Sequence, residues 1–96
     1  MNINESYTHR GFKIIEFKDL YDTKCNIQES SLATDEAIWI GVEDANPQIM
    51  NSNNSGWSDY PIPKEVFLTT RMHLTRKQVE KILPILEKFV STGDIY

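Results

Sequence analysis

The chain of 96 residues has a single cysteine and no long apolar run, and both absences narrow the class of protein. Because Cys25 has no second cysteine to pair with, an internal disulfide is excluded and a reducing compartment is the expected environment. No segment approaches the roughly 20 apolar residues that a membrane-spanning helix needs, and the polar start of the chain is unlike a signal peptide. We therefore expect a cytoplasmic protein that has no membrane partner.

Basic residues are also scarce. Ten Lys and Arg stand against fourteen Asp and Glu, so the formal net charge is −4. General nucleic-acid binders carry a basic surplus, so this class is disfavoured. Residues 64–81 are the exception, because five basic residues there accompany two acidic ones and leave a local charge of +3, against −7 in the remainder. An anion site is therefore most expected in this segment.

The sequence also lacks the motifs that carry catalysis. Cys25, His9 and His73 are too few and too scattered for a zinc site. The glycines form neither a phosphate loop nor a dinucleotide-binding fingerprint, and no nucleophile stands in a recognisable elbow. We expect a binding protein that is not an enzyme and has no metal or cofactor.

Four segments have the pattern of β-strands, either alternating or continuously apolar. The first two form an antiparallel hairpin, because aspartates in residues 19–23 supply turn chemistry between them. In the second strand, Cys25 and Ile27 are predicted to point inward and Asn26 and Gln28 outward. The predicted strands are residues 11–18, 24–29, 37–42 and about 66–72.

Two other segments show no such pattern. Residues 1–10 are polar and are predicted to form a flexible tail, which leaves residues 11–96 as a single domain. Residues 43–63 show no regular structure and include a variable loop at 48–59 with an Asn- and Ser-rich tip. A loop of that length in a small domain is either functional or mobile.

A C-terminal amphipathic helix completes the predicted fold. Thr75 and Gln78 have the spacing of a capping box at its start, Gly93 is a plausible stop, and Pro84 is expected to bend it. The predicted class is α+β: a small antiparallel sheet packed by this helix. The apolar stripe of the helix consists of Val79, Ile82, Leu83, Leu86, Phe89 and Val90.

The junction of the last strand and the helix carries the candidate ligand-binding residues. Arg71 and His73 share one strand face by period two, and Arg76 lies in the first helical turn, where N–H groups are free. Thr70 and Thr75 add hydroxyl groups. Arginine binds oxyanions through two parallel hydrogen bonds, so this group predicts a phosphate site. The plainer interpretation is a set of solvated surface cations with Thr75 acting only as a cap.

A second group of hydroxyls lies in the connector before the central strand. Ser30, Ser31 and Thr34 could contact a phosphate or a ribose. Serines in connectors commonly serve turns instead. Ser30 and Ser31 are therefore ligand candidates only if folding brings them near Arg71.

Four short motifs resemble a widespread family of small phage and prophage proteins. They are Arg10-Gly11-Phe12-Lys13, Cys25-Asn26-Ile27-Gln28-Glu29-Ser30-Ser31, Ile38-Trp39-Ile40-Gly41 and Thr70-Arg71-Met72-His73-Leu74. The similarity runs from Arg10 to Ile95, apart from the variable loop. The family resembled is that of the anti-Thoeris sponges, whose members are non-enzymatic oligomers that trap cyclic ADP-ribose-type signals.

The resemblance implies a homo-oligomer in the cytoplasm of an infected bacterium that sequesters a signalling nucleotide without degrading it. Two other classes remain open. A phage inhibitor could bind a bacterial defence protein such as a nuclease effector, with its acidic surface mimicking nucleic acid. A small hydrolase could instead act on the same nucleotide.

Overall fold

The computed structural model describes residues 1–31, 36–51, 53 and 56–96 and contains seven strands and one helix within them. Five strands form an antiparallel sheet in the order β1-β2-β3-β4-β7, and β5 and β6 form a separate hairpin. The predicted α+β class is confirmed. The elements are β1 (Asn4–Tyr7), β2 (Lys13–Lys18), β3 (Lys24–Glu29), β4 (Ala37–Val42), β5 (Gln48–Asn51), β6 (Gly56–Asp59), β7 (Arg71–Thr75) and α1 (Arg76–Thr92).

Strands β2, β3 and β4 confirm the predicted hairpin and central strand. The turn between β2 and β3 is closed by Asp19, whose Oδ1 accepts from the backbone N–H groups of Tyr21 at 2.8 Å and Thr23 at 3.0 Å. This aspartate satisfies donors that the turn would otherwise leave free, which explains the turn chemistry that the sequence suggested.

Three predictions about element boundaries are wrong. Residues 4–7 are not a flexible tail, because they pair with β2 from Asn4 opposite Glu16 to Tyr7 opposite Lys13. Residues 48–59 contain the β5–β6 hairpin rather than an irregular loop. Ser52, Asn54 and Ser55, which belong to the Asn- and Ser-rich stretch noted in the sequence, lie outside the described residues. The last strand runs over Arg71–Thr75 instead of about 66–72, because its pairing with β4 starts at Gly41 opposite Arg71.

The register gives the five-stranded sheet two different faces. Residues paired across antiparallel strands point to the same side, so Trp39, Gly41, Arg71 and His73 lie on one face, which we call the Trp39 face. Ile38, Ile40 and Val42 of β4 and their partners in the adjoining strands lie on the other, which we call the Ile40 face.

The two most buried described residues are neighbours in β3 and belong to opposite faces. Cys25 is 7% exposed on the Ile40 face, and Asn26 is 1% exposed on the Trp39 face. The prediction that Asn26 points outward to solvent is therefore wrong. Its side chain lies in the row formed by Asn26, Gly41 and Arg71, where the backbone at Thr70 and Arg71 passes close over Gly41.

The caps of α1 confirm the sequence prediction. The Thr75 hydroxyl accepts from the Gln78 N–H at 3.2 Å, and the Gln78 side chain accepts from the Thr75 N–H at 2.9 Å. Gly93 ends the helix with φ of 82°, and its N–H donates to the Phe89 carbonyl. Pro84 lies inside the helix, as predicted.

The packing of α1 on its own sheet is confined to the start of the helix. Val79 and Ile82 are half-buried, whereas the apolar positions from Leu83 to Val90 are exposed, and α1 makes its contacts with the sheet mainly through β7. Within the described ranges, no helix combines the length and apolar character needed to cross a bilayer.

Candidate functional site

The Trp39 face brings a cation and two rings into contact at the β4–β7 pair. Trp39 lies directly opposite His73, and their ring centroids are 4.8 Å apart with the planes tilted by 33°. The Cζ atom of Arg71 lies 5.7 Å from the centroid of the Trp39 ring, within cation–π range. This arrangement provides an apolar ring surface bordered by a guanidinium group and an imidazole.

A glycine in β4 makes this approach possible. A Cβ at Gly41 would overlap the carbonyl oxygen of Thr70 and lie 2.7 Å from Cα of Arg71. The start of β7 therefore passes over β4 at a distance that only glycine permits. Gly41 thus positions Arg71 beside Trp39.

Three polar atoms on this face are buried without a hydrogen-bond partner among the described residues. They are the donors Trp39 Nε1 and Arg71 Nε and the acceptor Asn26 Oδ1. Buried polar atoms are nearly always satisfied, so each of these calls for a partner. Two unsatisfied donors next to an aromatic ring are suited to a ligand that carries acceptors.

The segment before β7 borders an open cleft beside Trp39 and Arg71. The cleft has a volume of about 760 Å³ and is lined by Trp39, Arg71 and His73 on the sheet and by the chain from Tyr60 to Thr70. Lys64 adds a second cation to the lining, and Glu43 and Asp44 add two carboxylates. Its size suits a small organic ligand.

A second, smaller recess of about 330 Å³ lies on the β3 side of Trp39. His9, Arg10 and Ser31 contribute to its wall. Arg10 is held in a tight turn, and its Cζ lies 5.6 Å from the centroid of the Phe12 ring. Trp39 therefore separates two recesses that each contain an arginine and a histidine.

The structure brings some of the predicted ligand-binding residues together. Arg71, His73 and Thr70 line the large cleft, and the prediction that Arg71 and His73 share a face is confirmed. Ser31 lines the small recess, so it adjoins the same Trp39 ring. Thr34 lies outside the described residues.

The structure places the other predicted residues elsewhere. Arg76 is on the side of the Ile40 face, where it shares a recess with Ser30 and its Nη1 lies 3.0 Å from a carboxylate oxygen of Glu36. The hydroxyl of Thr75 is engaged in the helix cap. Arg76, Ser30 and Thr75 therefore do not join the group around Trp39.

Sequence reasoning missed the central residue of the cleft. The apolar run of β4 by itself indicates a core position for Trp39, and the polar segment of residues 1–10, which includes His9 and Arg10, predicts a tail. Period two along β4 places Trp39 on the face opposite Ile38 and Ile40, and this alternation was the available signal.

Comparisons with known proteins yield no matching family model and no similar protein among curated sequences or solved structures. In the part of the chain that the structure describes, no three His, Cys, Asp or Glu side chains are grouped so that they could hold a metal ion.

Proposed function

We propose that this protein binds a phosphorylated nucleotide on the Trp39 face and sequesters it intact. The observation that carries the proposal is the contact of Trp39 with His73 and Arg71, in which donors of both Trp39 and Arg71 are buried without partners among the described residues. An indole offers a stacking surface for a base, and a guanidinium binds phosphate oxygens.

The two recesses define the ligand further. A nucleotide that carries one diphosphate would set its base against Trp39 and both phosphates beside Arg71 in the large cleft, where Lys64 is a second cation. A ribose of the same ligand would reach the smaller recess beside Arg10. The resemblance to the anti-Thoeris sponges supports a cyclic ADP-ribose-type signal, which carries two phosphates. It also supports a phage-encoded, non-degrading homo-oligomer that acts inside the infected bacterium.

A retention experiment tests the proposal. The protein is incubated with a cyclic ADP-ribose isomer, separated from free ligand and heat-denatured, and the released material is identified by mass spectrometry. Release of the unchanged ligand is expected. A changed mass would indicate a hydrolase, and an absence of retained ligand would favour an inhibitor that binds a defence protein.

A matched pair of arginine variants locates the site. Arg71→Ala should weaken binding roughly 10- to 100-fold, because a hydrogen bond to a charged group contributes about 1.5–3 kcal/mol. Arg76→Ala removes the same charge from the other side of the sheet and should bind like the parent. Arg76, which the sequence predicts to bind the ligand, is therefore the control, because it lies outside the cleft. Equal losses for both variants, measured by calorimetry, would contradict the site.

A further inference from the structure

The single chain exposes far more surface than a compact protein of its size. Its accessible surface is 8590 Å², whereas a compact monomer of 11.1 kDa has about 5,700 Å². Its radius of gyration is 16.7 Å, against about 12.5 Å for a compact chain of this length. An excess of roughly 2,900 Å² is well above the ~800 Å² per partner of a standard interface. The chain alone is therefore an incomplete folding unit.

The helix supplies one large apolar surface. Its stripe, defined above by Val79, Ile82, Leu83, Leu86, Phe89 and Val90, is contiguous along one side of α1. Leu86 and Phe89 are each 55% exposed. The charged residues Glu80, Lys81 and Lys88 stand outside this stripe, and Glu87 lies at its edge, one turn after Leu83, so a partner can cover the stripe with these charges at the rim.

The Ile40 face supplies a second apolar surface. Its central side chains are only half-buried, and Met72 is 57% exposed. Two shallow recesses of about 600 and 440 Å³ lie over it, the first beside Ile38 and Leu74 and the second beside Ile40 and Met72. A sheet with one apolar face requires a second layer, which α1 of the same chain supplies only near β7.

We propose that the stripe of α1 from a second copy of this chain covers the Ile40 face, and that the exchange is reciprocal. The stripe from Val79 to Val90 is about 16 Å long, and five strands span about 19 Å from the first to the last, so one helix can cross most of the face. A twofold pair uses both apolar surfaces of both chains and leaves neither exposed. The large excess of surface per chain matches an obligate dimer of this kind.

Two variants that damage different surfaces test the exchange. The double variant Leu86→Glu with Phe89→Glu introduces two charges into the helix stripe and leaves the sheet unchanged. Met72→Glu introduces a charge into the Ile40 face and leaves the helix unchanged. All three sites are exposed in the single chain, so its own contacts are little affected. Sedimentation should show a dimeric parent and, for each variant, a dissociation constant raised at least tenfold. Ser91→Glu, on the polar side of α1, is the control and should remain dimeric.

Mixing the two variants separates helix exchange from other modes of pairing. In an equimolar mixture, the intact helix of one variant can cover the intact sheet of the other, so a heterodimer should form at concentrations where each variant alone is monomeric. A mixture that stays monomeric would overturn the proposal. Loss of the dimer in only one variant would also overturn it, since helix–helix pairing needs no Met72 and sheet–sheet pairing needs no Phe89.

A cross-link gives a second readout that does not depend on destabilised variants. Phe89 is replaced by photoreactive p-benzoylphenylalanine, and the protein is mixed with an isotope-labelled copy. Products that join position 89 of one copy to β2, β3 or β4 of the other are expected. Cross-links found only within one chain, or only between two α1 helices, would reject the exchange.

Discussion

The two faces of the five-stranded sheet are built from the same strands, yet they differ in almost every physical property. The Trp39 face carries buried polar atoms without described partners and a cleft with cations at its wall. The Ile40 face carries aliphatic side chains and shallow open recesses. In β7 the difference falls between adjacent residues, since Arg71 and His73 point one way and Met72 and Leu74 the other. Alternate residues of one strand therefore face the binding surface and the surface available for assembly.

The largest expected effect comes from Gly41, because β4 and β7 meet there most closely. Gly41→Ala should cost about 1–3 kcal/mol of folding stability or more, since the new methyl would overlap the Thr70 carbonyl. The control is Gly11→Ala, where φ is 84° but nothing lies within 4 Å of the added Cβ. Its backbone strain should cost about 1–2 kcal/mol.

Urea unfolding at equal protein concentration compares the two glycine variants, and ligand binding adds a second measurement. Gly41→Ala should also lose affinity, because displaced backbone moves Arg71 away from Trp39. Gly11→Ala should affect the large cleft little. If Gly41→Ala retained full affinity, the close passage of β7 would not position Arg71.

The next largest effect is expected at the helix cap. Thr75→Ala should destabilise α1 by about 1 kcal/mol, because it removes the acceptor for the Gln78 N–H, and Thr75→Ser should restore most of the loss. Nucleotide affinity should not change in either variant, since the Thr75 hydroxyl serves the cap. Thermal unfolding followed by circular dichroism measures the first effect and calorimetry the second. A selective loss of affinity in Thr75→Ala would return this hydroxyl to the ligand site.

A smaller effect is expected at the ring that separates the two recesses. Trp39→Phe keeps an aromatic surface but removes the Nε1 donor, so affinity should fall by about 2- to 10-fold, the contribution of one net hydrogen bond of about 0.5–1.5 kcal/mol. Trp57, in β6, is 64% exposed and does not line the cleft. Trp57→Phe should therefore bind as the parent does. Calorimetry on both variants decides whether the indole N–H contacts the nucleotide.

Local signals in the sequence predicted the parts of this fold that depend on local chemistry. The boundaries of β3 and β4 and both caps of α1 follow from alternation, apolar runs and capping residues within a few positions. Strand β1 has no apolar alternation and exists because it pairs with β2, which is a non-local cause. The start of β7 is likewise set by its register with Gly41.

The same non-local cause places Arg71 and Arg76, the two arginines of the predicted site, on opposite sides of the sheet. The sequence predicts a strand that ends near residue 72 and a phosphate site to which both Arg71 and Arg76 contribute. Three further strand residues carry the chain to Thr75 before the helix begins at Arg76. The helix then leaves from the side of the Ile40 face, and Arg76 meets Glu36 there. Alternation within β7 was predictable, but the length of β7 was not.

The smallest expected effect concerns that ion pair. Arg76 and Glu36 approach to 3.0 Å, but their side chains are 83% and 78% exposed, so water and salt screen the attraction. Glu36→Gln should change the free energy of unfolding by less than about 0.5 kcal/mol, and the difference from the parent should shrink further in 0.5 M salt. Nucleotide affinity should be unchanged, because the pair lies on the opposite side of the sheet from Trp39. A clear gain in affinity would instead mean that Glu36 holds Arg76 away from an anion. Arg76 would then belong to the ligand site, as the sequence predicts, and the two faces of the sheet would not be separate in function.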